Sequence, residues 1–116
     1  MADEQDCLFC RIAAGKLGTP FLIETDSVVA FDDLAPQAPT HALIVPKRHL
    51  TSIAVLTRDH DALLGDMLEV ANRVANQRGI VESGVRLVTN VGPDAGQTVF
   101  HLHWHLLGGQ PLGALA

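Results

Sequence analysis

Residues 99–107 read V-F-H-L-H-W-H-L-L, and no other stretch restricts the possible folds so strongly. His101, His103 and His105 take every second position, with Leu102, Trp104 and Leu106 between them. Strand side chains point to alternate faces, so this period of two predicts a β-strand over 99–107. One face then carries three imidazoles, each roughly 6–7 Å along the strand from the next. The other carries Leu, Trp and Leu, a row that needs a core to cover it. Half of the six His in the chain lie on one strand face.

A chain of 116 residues can supply that core, and it reads as a single domain over 1–116. The polar start, 1–5, is expected to be a disordered tail. Net charge is -5, and only Lys47 and Arg48 are adjacent among the basic residues. A phosphate polymer needs a basic patch, so nucleic-acid polymers are not expected partners. A small phosphate held by dipoles and imidazoles is compatible with this charge. The first six residues are acidic and polar, unlike a signal peptide, and no apolar run reaches the roughly 18 residues of a membrane span. The expectation is a cytoplasmic chain with no membrane partner, whose Cys7 and Cys10 are free or metal-bound.

The remaining elements follow from periodicity and punctuation. Asp6 is expected to cap a short helix over 7–14, ended by Gly15. Residues 21–24 and 28–31 read as a hairpin around Thr25-Asp26-Ser27. Pro36 and Pro39 keep 32–40 as loop, and 42–45 is a short apolar strand closed by Pro46. A long helix starts at 57 or 59 and runs to 78, with Leu63, Leu64, Met67, Leu68, Ala71, Val74 and Ala75 as its stripe. A strand over 85–91 and the turn Gly92-Pro93-Asp94-Ala95-Gly96 lead into the His strand. His60 is expected to be solvated surface. Trp104 is expected to pack in the core or against a second copy. The order predicts an α+β fold with helices on a largely antiparallel sheet.

Clustered imidazoles repel when charged, so neutral forms are favoured near pH 7. A neutral imidazole can attack phosphorus, with a second His assisting the leaving group. It can also bind a catalytic metal, since H-x-H on a strand presents two ligands. No Asp or Glu follows His105, which weakens the metallohydrolase reading. Gly92 and Gly96 let amides face an anion, and Gln97 and Thr98 add side-chain donors beside the imidazoles. That combination favours phosphoryl or nucleotidyl transfer.

H-L-H-W-H-L-L resembles the histidine triad signature. Phe31-Asp32-Asp33-Leu34, Pro36 to His41, Val45 to His49, Asn90 and Gly96-Gln97-Thr98 fall in the order and spacing of the Hint-like branch of the HIT superfamily. The resemblance implies an α+β fold of five antiparallel strands and two helices, with two protomers pairing into a ten-stranded sheet. It implies a hydrolase or transferase acting on the α-phosphate of a purine nucleotide. Adenosine or guanosine 5′-phosphoramidates are the expected substrates, cleaved through a covalent nucleotidyl-histidine. On this likeness His103 is the nucleophile, His105 contacts phosphate and assists the leaving group, and His41 sits beside them. Asp33 and Leu34 match the ribose-binding pair. Asn90, Gly96, Gln97 and Thr98 match the phosphate side, where relatives often carry Ser at position 98. Leu8, Phe9, Ile12 and Phe31 would wall the base slot. Two alternatives stay open: hydrolysis of dinucleoside polyphosphates, and a nucleotide-binding adaptor with incidental turnover.

Cys7-Leu8-Phe9-Cys10 has metal-ligand spacing, although two buried Cys on a helix would look the same. Some histidine triad proteins with this Cys pair complete a Cys₂His₂ zinc site. The likeness assigns it here to Cys7, Cys10, His49 and His101, as structural Zn²⁺ with no organic cofactor.

Overall fold

The computed structural model describes residues 6–115, so the tail expected over 1–5 lies outside the described residues. Two helices and five strands follow one another as α1 (Leu8–Ala13), β1 (Ile23–Glu24), β2 (Val28–Asp32), β3 (Thr40–Pro46), α2 (Asp61–Gln77), β4 (Val85–Val88) and β5 (Trp104–Gly108). The sheet has the order β1-β2-β3-β5-β4, and every neighbouring pair is antiparallel. This is the α+β arrangement the sequence predicts.

The sheet is covered on both faces. Met67, Val70, Ala71, Val74 and Ala75 of α2 pack on Val28, Ala30, Ala42, Ile44, Leu102 and Leu106. Phe9, Ile12 and Ala13 of α1 pack on Val29, Phe31, Leu43 and Val45. All seven residues of β3 are therefore buried, and the strand is longer than its apolar run suggests.

Helix ends depart from expectation in two places. Asp6 was expected to cap α1; instead Cys7 is the N-cap, its Sγ accepting the Cys10 N–H at 3.4 Å. His60 is not idle surface. A 3-10 turn over Arg58–His60 leads into α2, and Thr57 N–H donates to His60 Nδ1 at 3.0 Å. Thr57 Oγ1 accepts the Asp59 N–H at 3.2 Å, so the pair satisfies donors at the helix entry.

The His strand is shorter than its alternation implies. Its ladder begins only at Trp104, which pairs with Ile44, while β4 ends at Val88 opposite His105; Val45 and Pro46 of β3 run on paired only with β2. Alternation nevertheless persists through 101–106. Leu102 and Leu106 are buried against α2, with Trp104 packed on the same cluster. The bare segment finds other partners. Leu102 N–H donates to Leu50 O at 2.6 Å, and Thr89 Oγ1 donates to His103 O at 2.9 Å. Among the described residues no helix is long and apolar enough to cross a membrane.

Candidate active site

The three imidazoles sit on the α1 face of the sheet but point to two different places. Their hydrogen bonds fix which nitrogen carries the proton, because a carbonyl can only accept. His101 Nε2–H donates to Pro46 O at 2.8 Å, which leaves Nδ1 as a lone pair. That lone pair lies 3.4 Å from both Cys7 Sγ and Cys10 Sγ. His49 Nδ1 lies 3.2 Å from Cys10 Sγ. The four ligand atoms of Cys7, Cys10, His49 and His101 all fall within 4.8 Å of one another.

His103 faces the other way. Its Nδ1–H donates to His101 O at 2.7 Å, so Nε2 holds the free lone pair. Phe9 packs its ring edge-to-face on the imidazole, centroids 5.0 Å apart and 89° between planes. His105 is set through His41. Gln37 N–H donates to His41 Nδ1 at 3.0 Å, which places the His41 proton on Nε2. His41 Nε2 lies 2.9 Å from His105 Nδ1 and donates to it. His105 is left with Nε2–H as its donor. The neighbouring pair is thus complementary: a lone pair on His103 and a proton on His105, with ring centroids 5.0 Å apart.

Asp33 Oδ2 stands 3.4 Å from His41 Nε2, and Asp33 Oδ1 accepts the Ala35 N–H at 2.9 Å. Asp33, His41 and His105 also come within 4.8 Å of one another. Since His41 Nε2 carries its proton, this group is a hydrogen-bonded relay and not a ready ligand set.

Burial sets the charge states. Desolvation holds His101 down at about 4, with His49 and His103 adding to it against the Pro46 bond. Desolvation also lowers His103 below 6.5, opposed by its bond to His101 and by Asp33. His105 is lowered first by desolvation, then by His103 and His41. At neutral pH all three rings are neutral.

His103 and His105 open onto a cavity of about 280 Å³. Leu8, Phe9, Ile12, Phe31, Leu43 and Val99 form its apolar wall; Thr19, Asp32, Asp33, Leu34 and Thr98 complete the lining. His101 is absent from it, so the triad does not converge on one metal. The strand register explains the layout. Phe31 pairs with Leu43 and Leu43 with His105, one row on the α1 face.

A family model of the HIT domain matches residues 15–112. The chain belongs to the HIT family. It is 40% identical over 111 residues to a purine nucleoside phosphoramidase of Escherichia coli K12, covering 96% of this chain and 93% of that protein. A HIT family hydrolase from Clostridium thermocellum has a similar structure, with a TM-score of 0.91 at 43% identity over 96% of each chain. A histidine triad protein from Clostridium difficile gives 0.92 at 37% identity, over 99% of this chain and 100% of that one.

In this HIT domain the loop before the triad differs from its reading as a simple phosphate cradle. Gln97 is buried, and its side chain is fully engaged inside the loop. Its Oε1 accepts the Gly92 N–H at 2.9 Å, while Nε2 donates to Thr51 O at 2.8 Å and Val99 O at 3.1 Å. The amides of Gly96 and Gln97 donate to Pro93 O and Gly92 O. Asn90 Nδ2 donates to Ala95 O at 2.8 Å. Gly92 and Gly96 adopt φ of +82° and +87°, which only glycine takes without strain. These residues shape the loop, and Thr98 is the loop residue that reaches the cavity. Sequence reasoning missed Thr19, Asp32, Leu43 and Val99. Leu43 had a signal, since it lies two residues from His41 on one strand. Thr19, between Gly18 and Pro20, had none.

Proposed function

We propose that this chain hydrolyses 5′-phosphoramidates of purine nucleosides through a nucleotidyl-His103 intermediate. The observation that carries this is the complementary pair in the cavity: a lone pair on His103 Nε2 beside a proton on His105 Nε2. The likeness to the Escherichia coli phosphoramidase supports the substrate class. The base fits the apolar wall of Leu8, Phe9, Ile12 and Phe31. Asp33, beside Leu34, accepts from the ribose hydroxyls, and Thr98 donates to phosphate within the loop formed by Asn90, Gly96 and Gln97.

The steps balance. His103 Nε2 attacks phosphorus as the P–N bond breaks, and the departing amine takes a proton from solvent water while His105 Nε2–H donates a hydrogen bond to it, so that His105 stays neutral. His41 Nε2–H remains donated to the Nδ1 of His105. Water then attacks phosphorus, the bond to His103 Nε2 breaks, and the proton that water loses returns to solvent, releasing nucleoside monophosphate. The test is turnover of adenosine 5′-phosphoramidate. The wild-type chain should yield ammonia and AMP, and His103→Asn should yield neither at a comparable rate.

Acid should stop the reaction by protonating the nucleophile. His103 and His105 are lowered below 6.5, so their neutral forms persist through neutral pH and are lost only at lower pH. The kcat/KM profile is therefore expected to be flat from about pH 8 to 6.5 and to fall below that. A rate that held steady down to pH 4 would sink the His nucleophile.

We further propose structural zinc at Cys7, Cys10, His49 and His101. Tetrahedral zinc, with Zn–S about 2.3 Å and Zn–N about 2.0–2.1 Å, sets adjacent S and N donors about 3.5 Å apart. The S···N distances of 3.2–3.4 Å fit this geometry. The metal would supply a tie between α1 and the triad segment.

Dimerisation completes the proposal. β4 is an edge strand, and its Val85 and Leu87 are each 42% exposed. A second copy paired there would cover the edge and give a ten-stranded sheet. Light scattering should report twice the chain mass for the wild type and the single mass for Leu87→Glu. A wild-type monomer would exclude the arrangement.

A further inference from the structure

Of the polar side chains that line the cavity, Thr19 and Asp32 have no part in the proposed mechanism. Thr19 lies on its wall, and its Oγ1 makes no hydrogen bond among the described residues. Apart from Thr98, whose hydroxyl is left for phosphate, the other polar groups there are engaged. Asp32 binds Arg78, Asp33 holds the turn and faces His41, and His103 and His105 are tied to the backbone and to His41.

Its place in the fold is set by strand register. Phe31, Leu43 and His105 are consecutive neighbours across β2, β3 and β5, so Phe31 is roughly 10 Å from His105. β1 flanks β2 on the far side, with Ile23 opposite Ala30. Leu22 N–H donates to Ala30 O at 2.7 Å, and the strands are antiparallel. Residues before Leu22 therefore run back past Phe31 and Asp32. On that register Thr19, a lining residue, belongs to the end of the cavity on the β1 side, away from β5 and the histidines. Gly18 takes φ of +69° and Pro20 confines Thr19 to extended backbone, so the hydroxyl is held on a stiff segment.

We propose that Thr19 Oγ1 reads the six-position of the purine. This rests on the nucleotide reading above, which orders the cavity from phosphate at His103 and His105, through ribose at Asp33, to the base. The far edge of the base then meets the Thr19 hydroxyl, while Thr98, the other cavity hydroxyl without a hydrogen bond, belongs to the phosphate side of that reading. A hydroxyl both donates and accepts. It accepts from a six-amino group and donates to a six-oxo group, so adenine and guanine are both recognised. A purine with hydrogen at that position offers neither.

The experiment pairs a side-chain change with a ligand change. kcat and KM are measured for the 5′-phosphoramidates of adenosine, guanosine and purine riboside with the wild type, Thr19→Val and Thr19→Ser. Calorimetry with the three corresponding monophosphates gives affinities independent of turnover. A neutral hydrogen bond of ordinary strength predicts about a threefold to tenfold wild-type preference for adenosine and guanosine over purine riboside, carried by KM. Thr19→Val should erase that preference while leaving purine riboside unaffected, and Thr19→Ser should keep it. The proposal is overturned if Thr19→Val leaves the preference intact or weakens all three ligands equally. A wild type that binds the monophosphates but cleaves no phosphoramidate would refute the activity proposed above. The binding preference and its loss in Thr19→Val would then still decide the role of Thr19.

Discussion

His103→Asn is expected to lower kcat for adenosine 5′-phosphoramidate by roughly 10³-fold or more, with KM and melting temperature little changed. The amide of Asn can keep the donor to His101 O that the imidazole provides at 2.7 Å. It has no lone pair able to form a covalent bond to phosphorus. The loss should therefore fall on the chemical step and not on the fold. Replacing His105 should cost less, on the order of 10²–10⁴, because the amine can still take its proton from solvent when the His105 donor is gone. Steady-state kinetics with circular dichroism separates the effects. Near-normal turnover by a folded His103→Asn variant would end the covalent mechanism.

Removing the metal is expected to act first on stability. Structural zinc contributes directly to folding free energy, and a change of 1 kcal/mol moves the melting temperature of a domain this size by about 4 °C. Stripping it with a chelator, or replacing Cys7 by Ser, should lower the melting temperature by about 10 °C or more. Metal analysis should give one zinc per chain in the wild type and little in the variant. Activity should decline more gently, through looser placement of His103. Low pH should work in the same direction. His101 is held at about 4 in the folded chain against 6.5 for the free residue, so the unfolded state binds more protons between those values. Stability then falls as pH drops from 6.5 toward 4, and zinc release should accompany it. A melting temperature unmoved by complete metal removal would reject the structural role, and full loss of activity at unchanged stability would point to a catalytic metal.

The period of two in the triad made the division of faces legible, because it puts Leu102, Trp104 and Leu106 on one side and the imidazoles on the other, although both sides turn out to be covered. Length of the strand was not legible. A ladder depends on where the neighbours' pairing stops, at Ile44 and Val88, and both are remote in sequence. The backbone partners of Gln97 and His60 were not legible for a related reason. Each side chain has a local backbone partner whose geometry exists only once the loop is folded. Thr19 was invisible because a Gly-Thr-Pro loop carries no chemical pattern. The metal cluster lies between these cases: the Cys spacing was visible, but only the fold brings His49 and His101 to it.

Helix α1 has just six residues, too few to persist on its own in water. Yet its Cys7 and Cys10 belong to the metal cluster, while Leu8, Phe9 and Ile12 wall the cavity. Nucleotide and metal would thus hold the same small piece of chain from opposite sides. By thermodynamic linkage, each should tighten the other by the same factor, although they share no atom. A cell short of zinc would then lose nucleotide affinity at a pocket that contains no metal.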